Sequence, residues 1–300
     1  MLRLSLIIAT YNRSASLIRA LESVAQQNAP ASEWECVVIN NNSTDDTQER
    51  FAEFVAAHPD LNIRMVTELR QGLSFARNRG IRESEAEYIA IIDDDERISP
   101  DFITSYISLF DSTPDAVAAG GPIVAEYPSG RPRWMSHFTE QMIANPLDLD
   151  IAVTIFPKSR VPAGGNMAFR REVFDRVGLF NPQLGRNGQS LVGGEENDLF
   201  ARLRRAGELL YFVPNAAIYH HIPDSKLTDD YFDRLSYNVG VSKRMRAEAD
   251  GEAETLLKKE RTKQFATYLL YLLYILMLQP LKAKYLLRMR NGIYKGVKQL

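Results

Sequence analysis

What this sequence lacks narrows its function first. It has one cysteine, Cys36, in 300 residues. That excludes an internal disulfide framework and a multi-cysteine metal site, and a reducing compartment is expected. Cys36 falls within an apolar run and reads as core. The formal net charge is only −2, so nothing in the overall balance calls for nucleic acid as a partner. No apolar run reaches the ~20 residues of a membrane span. The opening Met1–Ala9 is apolar but too short for a signal region with its cleavage site. Thr10-Tyr11-Asn12-Arg13 follows at once, so the segment reads as a first strand and export is not expected. No Ser/His/Asp or Cys/His arrangement suggests a protein nucleophile. Acid is missing from Arg261 to Leu300, where Lys and Arg flank the apolar run Phe265–Leu278. What remains, 45% hydrophobic and 25% charged residues, is ordinary for an α/β protein of one large domain or two small ones.

Short apolar runs alternate with segments of helical period. Leu4–Ala9, Cys36–Ile39, Ile63–Val66, Tyr88–Ile92 and Val117–Gly120 read as strands. Ser14–Gln27, Thr44–Ala57, Leu73–Ser84 and Pro100–Asp111 read as helices, with Ser14 and Thr44 as expected N-caps. Such alternation predicts a mostly parallel sheet covered on both faces, with ligands bound beyond the carboxyl ends of the strands. The segments after three of those ends are polar: Thr10–Arg13, Asn40–Asp45 and Asp93–Asp95.

The last of these is the densest. Tyr88–Ile92 stops at Asp93-Asp94-Asp95-Glu96, and a helix follows from Pro100. Carboxylates crowded at the end of a buried strand repel one another and desolvate poorly, so a cation between them is expected. Oxygen ligands without Cys or His beside them suit Mg²⁺ or Mn²⁺, ions that bridge to substrate phosphates. A solvated acidic turn is the plain alternative.

Four motifs decide between these readings. Ile7-Ile8-Ala9-Thr10-Tyr11-Asn12-Arg13, Val37-Val38-Ile39-Asn40-Asn41-Asn42-Ser43-Thr44-Asp45, Gly72-Leu73-Ser74-Phe75-Ala76-Arg77-Asn78-Arg79-Gly80-Ile81 and Ile91-Ile92-Asp93-Asp94-Asp95-Glu96 occur in order. Together they resemble family 2 glycosyltransferases of the GT-A fold, and the likeness runs to about Ile222. The resemblance implies that Thr10, Tyr11, Asn12, Arg13, Asn40, Asn41 and Asn42 hold the base and ribose of a nucleotide-sugar, typically UDP-linked. Asn40 departs from the family's usual aspartate; an amide offers a donor as well as an acceptor, which loosens the preference for uridine. Arg77 matches an arginine at the nucleotide end, against the alternative of a solvated helix-surface charge. Asp93 and Asp95 match the Asp-x-Asp pair that holds the metal, with Asp94 between them on the nucleotide-sugar side.

The second half loses the strand–helix rhythm. Tyr127–Asp150 reads as a long excursion on the acceptor side, in which Trp134 and His137 are either sugar-stacking or packing residues. In Val161–Phe174, two glycines precede Asn166 and allow close backbone approach. Family members have a similar segment lining the donor sugar, making Gly164, Gly165 and Asn166 candidates; Val173, Phe174 and Val177 mark a short helix. Gly193-Gly194-Glu195-Glu196-Asn197-Asp198 opens a helix whose apolar face is Leu199, Leu203 and Ala206. Acids belong in a first helical turn for the macrodipole alone. The family's acidic pair at this place makes Glu196 the general base, with Glu195 and Asp198 as alternates. A short strand, Leu210–Val213, precedes His220-His221, which point to opposite sides of a strand. His220 aligns with a family histidine that completes the metal shell; His221 is not expected to ligate.

The expected fold is therefore α/β: a GT-A, Rossmann-like, mostly parallel sheet flanked by helices, with a C-terminal helical, membrane-associating tail. Residues 1–225 form the GT-A domain, 1–122 for the nucleotide and 123–225 for acceptor and catalysis. Residues 226–300 are helical, with an apolar, basic-flanked helix at 265–281. That helix suits shallow insertion at an anionic surface through residues 265–290, or the interface of a homodimer. The expected function is inverting transfer of a sugar from a nucleotide-sugar, UDP-linked, to a polysaccharide or lipid-linked glycan, with Mg²⁺ or Mn²⁺. The expected location is the cytoplasmic face of the cell membrane, and no nucleic acid is expected. A non-catalytic nucleotide-sugar-binding subunit is the alternative. A sugar nucleotidyltransferase is disfavoured, because Thr10–Arg13 has no glycine to cradle phosphates.

Overall fold

The computed structural model describes residues 1–188 and 191–298. They form two compact units. One comprises Met1–Val124, Leu147–Gln183 and Glu195–His221; the other comprises Ala125–Pro146, Leu184–Gly194 and Ile222–Leu300.

The first unit opens with strands β1 (Leu4–Thr10) and β2 (Trp34–Asn40), joined by helix α1 (Ser14–Val24). Both strands are buried along their whole length, as continuous apolar runs in a doubly covered sheet should be. Helix α2 (Thr47–Ala57), β3 (Ile63–Thr67), α3 (Leu73–Glu83) and β4 (Tyr88–Asp93) complete the alternation. β2 and β3 lie on one side of β1 and β4 on the other, all parallel. The strand order therefore reverses beside β1, the place where such sheets bind ligands.

The expected caps are replaced. Ser14 is the first helical residue, without a side-chain cap, and Thr44 lies in the preceding loop. Asp45 serves both helices, its carboxylate accepting from Ser14 N–H at 3.3 Å and Thr47 N–H at 3.2 Å. A charged acceptor at two positive helix ends is favourable. Burial opposes its ionisation, but these bonds and the Thr47 hydroxyl hold the Asp45 carboxyl below its ordinary value.

After β4 the chain makes a short strand, β5 (Glu96–Ile98), before α4 (Phe102–Ser112), β6 (Ala118–Gly120) and β7 (Ile123–Glu126). Helix α5 (His137–Ile143) follows, then β8 (Thr154–Ile155), β9 (Met167–Arg170), α6 (Val173–Val177), α7 (Glu195–Arg205), β10 (Leu210–Phe212) and β11 (Ile218–His221). The main sheet has the order β3-β2-β1-β4-β9-β6-β10-β8, and β5-β11-β7 form a small second sheet. β9 runs antiparallel between β4 and β6, so the sheet is mostly rather than wholly parallel.

In the second unit, helices α8 (Asp229–Ala249), α9 (Ala253–Leu276) and α10 (Pro280–Lys298) join α5 around Met135, Ile143, Phe232, Leu235, Leu286, Met289 and Ile293. α8 and α10 approach closely: a Cβ on Gly240 would stand 2.1 Å from the Ile293 carbonyl. Glu260 is fully buried and meets Lys243, Lys263 and Arg290 at 3.3, 3.0 and 2.7 Å. Burial alone would raise its carboxyl, yet these cations hold it below its usual value.

Two expectations change here. The excursion after Tyr127 contains a helix, α5, closed by a capping box in which Ser136 and Thr139 bond reciprocally. Within it Trp134 stacks on Tyr285 at 4.3 Å and meets Phe232 edge-on, which settles it as a packing residue. The apolar helix expected at 265–281 is two helices. α9 ends at Leu276, a turn follows with Leu278 at φ 55°, and Pro280 opens α10. Proline suits a first helical turn because its missing N–H leaves no bond unmade.

Candidate active site

The sheet register brings the polar segments level. Thr10 pairs with Asn40 across β1 and β2, and Ala9 pairs with Asp93 across β1 and β4. All three segments therefore leave the sheet at one rim. Asn12 and Asn42 take left-handed backbone angles, φ 51° and 62°, which asparagine tolerates better than most residues. The first two loops are bonded together. Asn12 Oδ1 accepts from Thr44 N–H at 2.7 Å, and Ser43 Oγ accepts from Asn12 N–H at 3.0 Å. Asn40 Oδ1 accepts from Ser43 N–H at 2.8 Å. The Asn41 amide donates to the carbonyls of Glu68 and Arg70 and accepts from Gly72 N–H. Asn41 thus fixes the third loop to the second, a framework role, while Tyr11 projects from the rim.

The acidic turn is held from below. Asp94 is buried and accepts from Thr10 Oγ1 at 2.8 Å and Arg13 Nη1 at 3.1 Å. Burial, helped by the charges of Asp95 and Asp93, pushes its carboxyl up to about 6 against the pull of Arg13. Arg13 also reaches Asp95 at 3.2 Å. Asp94 is therefore bonded into the turn's framework; the Asp93 carboxylate is part-exposed and pairs with Arg77, and that of Asp95 is buried and pairs with Arg13.

Glu96 was not among the sequence candidates. Its carboxylate accepts from Asp93 N–H at 2.9 Å. A Cβ on Gly165 would stand 2.0 Å from Glu96 Oε1, so glycine at 165 makes room for that carboxyl. Oxygens of Asp93, Asp95 and Glu96 lie within 4.8 Å of one another. Burial first, then the charges of Asp93 and Asp95, push the Glu96 carboxyl well above its ordinary range. A divalent cation among these oxygens would offset that repulsion, and an all-oxygen donor set fits Mg²⁺ or Mn²⁺. His220 lies opposite Glu96 in the β5–β11 register, with Nε2 3.8 Å from Asp95 Oδ1. It stands outside the Asp93, Asp95 and Glu96 group whose ligand atoms lie within 4.8 Å of one another. His221 meets Asp95 through its backbone N–H.

Arg77 is 1% exposed, which excludes the solvated helix-surface reading. Its guanidinium donates to Asp93 Oδ1 and Glu195 Oε1, each at 2.7 Å, and to the Gly164 carbonyl at 2.9 Å. Arg77 thus clamps three segments far apart in sequence, and these donors go to protein groups. Asn166 is also bonded inward. It is fully buried, and its amide donates to the carbonyls of Pro122 and Ala216 while accepting from the Tyr106 hydroxyl. It anchors the glycine turn and leaves Gly164 and Gly165 as its ligand-facing candidates.

The three acids at the start of α7 separate by partner. Glu195 is buried against Arg77. Asp198 binds Arg202 one turn on at 2.9 Å, and Arg202 in turn donates to the carbonyls of Val177, Gly178 and Leu179. Glu195 and Asp198 are therefore engaged in holding the helix in place. Glu196 is half-buried, takes a short bond from the Asn197 amide, and is close enough to Arg77 for its charge to favour the guanidinium cation.

A parallel α/β sheet with an acidic turn at its switch point and a helix-borne glutamate across from it is the arrangement of the GT-A fold. The chain matches the glycosyl transferase family 2 profile over residues 5–178. It belongs to that family and is a glycosyltransferase. Among curated relatives, it is 26% identical over 255 residues to the glucosyl-dolichyl phosphate glucuronosyltransferase of Haloferax volcanii, covering 81% of this chain and 77% of that one. It is also 26% identical over 236 residues to the succinoglycan biosynthesis protein ExoM of Rhizobium meliloti, covering 78% and 71%. Among solved structures, the mannosyltransferase PcManGT of Pyrobaculum calidifontis, in complex with GDP-Man and Mn²⁺, superposes with a TM-score of 0.61 at 20% identity over 96% of this chain and 85% of that one. GalNAc-T7 with UDP, GalNAc and Mn²⁺ gives 0.58 at 18% identity over 80% of this chain, which spans about half, 48%, of that longer one. At these identities the structural likeness speaks to the fold.

Proposed function

We propose that this protein transfers a sugar, with inversion, from a nucleotide-sugar to a polysaccharide or lipid-linked glycan. The observation that carries the reading is Glu196, half-buried at the start of α7 with its side chain beside Gly164 and Arg77. In the proposed step Glu196 takes the proton of an acceptor hydroxyl as that oxygen attacks the anomeric carbon. The bond from that carbon to the diphosphate oxygen breaks, and the electron pair leaves with the nucleoside diphosphate. With Glu196 acting as base and the acceptor oxygen as nucleophile, the proposed step is a single displacement, hence inversion. Asp93 and Asp95, with Glu96 or His220, would hold a divalent ion, which when bound offsets the charge developing on the departing diphosphate. Arg77 keeps Asp93 and Glu195 in place. Thr10, Tyr11, Asn12 and Arg13 with Asn40 and Asn42 form the proposed nucleotide rim, and Gly164 and Gly165 the donor-sugar wall.

Donor class is supported by the neighbours, which carry UDP or GDP-Man; acceptor class is supported by relatives named for dolichyl phosphate and succinoglycan. The test is release of nucleoside diphosphate from a panel of UDP-, GDP- and dTDP-sugars, with the product's anomeric configuration read by NMR. Inverted product is expected, and retained configuration contradicts the single displacement.

Asn40 bears on the base. The Asn40 oxygen takes the Ser43 N–H, and its amide nitrogen is a donor where an aspartate would offer only acceptors. Asn40→Asp is therefore expected to favour UDP over other nucleoside diphosphates by about tenfold, the scale of one hydrogen bond to a charged group. Competition binding reads the ratio directly, and an unchanged ratio removes Asn40 from base recognition.

A further inference from the structure

Helix α9 changes character halfway along. Its first half carries Lys258, Lys259, Glu260, Arg261 and Lys263, whereas Phe265–Leu276 holds no charge. The inner side of this second half, Leu270 and Tyr274, packs into the core of the helical unit. Phe265, Tyr268, Leu269, Leu272, Leu273 and Leu276 recur at three- and four-residue steps, which places them on one helical face. That face is in solvent, with Phe265 67% and Leu276 80% exposed. The turn adds Met277 and Leu278, the latter 87% exposed, and α10 adds Leu281. From Phe265 to Leu276 the stripe is about 17 Å long at the helical rise. An uninterrupted apolar stripe of this kind calls for something to cover it.

Charge selects the cover. Lys258, Lys259 and Arg261 precede the stripe by one to two turns, and Lys282 and Lys284 follow its far end. Among the described residues none of the five has a carboxylate within ion-pair distance. No acid follows residue 260. A second copy laid on this face would bring basic flanks against basic flanks. An anionic membrane surface would neutralise both ends and take the apolar stripe between them. No helix among the described residues is long and apolar enough to cross a membrane, and the break at Met277–Gln279 stops this one from continuing.

We propose that the outer stripe of α9 and the α9–α10 turn lie in the interface of an anionic bilayer. The leucines and Phe265 enter the acyl region, and the flanking lysines and Arg261 meet lipid phosphates. This stands independently of the donor and acceptor proposed above. Flotation of the full chain with vesicles of phosphatidylcholine, alone or with phosphatidylglycerol, tests it. Binding is expected to be at least about tenfold stronger with the anionic lipid, the effect of a few lysines near a charged surface. The variant Leu269→Gln/Leu272→Gln/Leu273→Gln/Leu276→Gln is expected to keep its helical signal and melting temperature and to lose vesicle binding. A second variant, Lys258→Glu/Lys259→Glu/Lys282→Glu, leaves the stripe intact and is expected to lose the preference for phosphatidylglycerol. Wild-type protein that stays in the aqueous fraction with both vesicles overturns the proposal. So does a dimer, seen by light scattering, that the leucine variant converts to monomer while vesicle binding is absent throughout.

Discussion

Glu196→Gln is expected to lower sugar transfer by about 10²–10⁴-fold, the contribution of a positioned general base. The substitution keeps size and an oxygen to accept the Asn197 amide, and removes the ability to take a proton together with one negative charge near Arg77. Nucleotide binding should survive, because Asp93, Asp95 and the first two loops are untouched. Glu195→Gln is expected to behave differently. Glu195 is buried against Arg77 at 2.7 Å, so its neutralisation weakens the clamp and lowers stability as well as rate. Comparing kcat and melting temperature for the two variants separates the base from its support. Glu196→Gln with undiminished transfer would assign the proton to another group; a non-catalytic, nucleotide-sugar-binding role would instead show as nucleotide binding without transfer in the wild type.

The largest loss of stability is expected at Arg77. Burial disfavours its charge, and Asp93 and Glu195 more than compensate, so the guanidinium is held more firmly charged than usual. Arg77→Met leaves Glu195 buried without its cation, and removing one partner of a buried pair costs about 3–5 kcal/mol. Arg77→Lys is not a rescue, since one ammonium cannot make the planar fork that joins Asp93, Glu195 and Gly164. Chemical denaturation measures the loss. The double variant Arg77→Met/Glu195→Met should recover part of it, because the stranded carboxylate is then gone. Equal stability of Arg77→Met and wild type would mean that the clamp carries no net energy.

Legibility in the sequence followed range. β1, β2, β3 and β4 are visible because each is a local apolar run, and the rim loops are visible because polar residues interrupt those runs at their carboxyl ends. The Glu196 position shows through its glycines and adjacent acids. Glu96 shows in the sequence only as part of the acidic cluster, because nothing local distinguishes it from the aspartates before it. Its pairing with His220 comes from β11, more than a hundred residues later. Arg77 reads as a nucleotide-end arginine or a surface charge, and its role as a clamp is hidden because the partners of Arg77 and Asn78 on the buried polar face of α3 are Asp93, Glu195, Gly164 and Phe180. Asn166 looks ligand-facing beside two glycines, yet its bonds go to Pro122 and Ala216. The tail's composition is plain in the sequence, and the break falls at Pro280, where a proline inside an apolar helical run starts a new helix.

Titration of nucleoside diphosphates with and without Mn²⁺, on wild type and on Asp93→Asn/Asp95→Asn, tests the site most directly. The expected result is nucleotide binding that strengthens with Mn²⁺ and loses that dependence in the double variant. Binding that is absent with and without Mn²⁺, or unchanged in the double variant, would contradict the placement of the metal and the diphosphate at this turn.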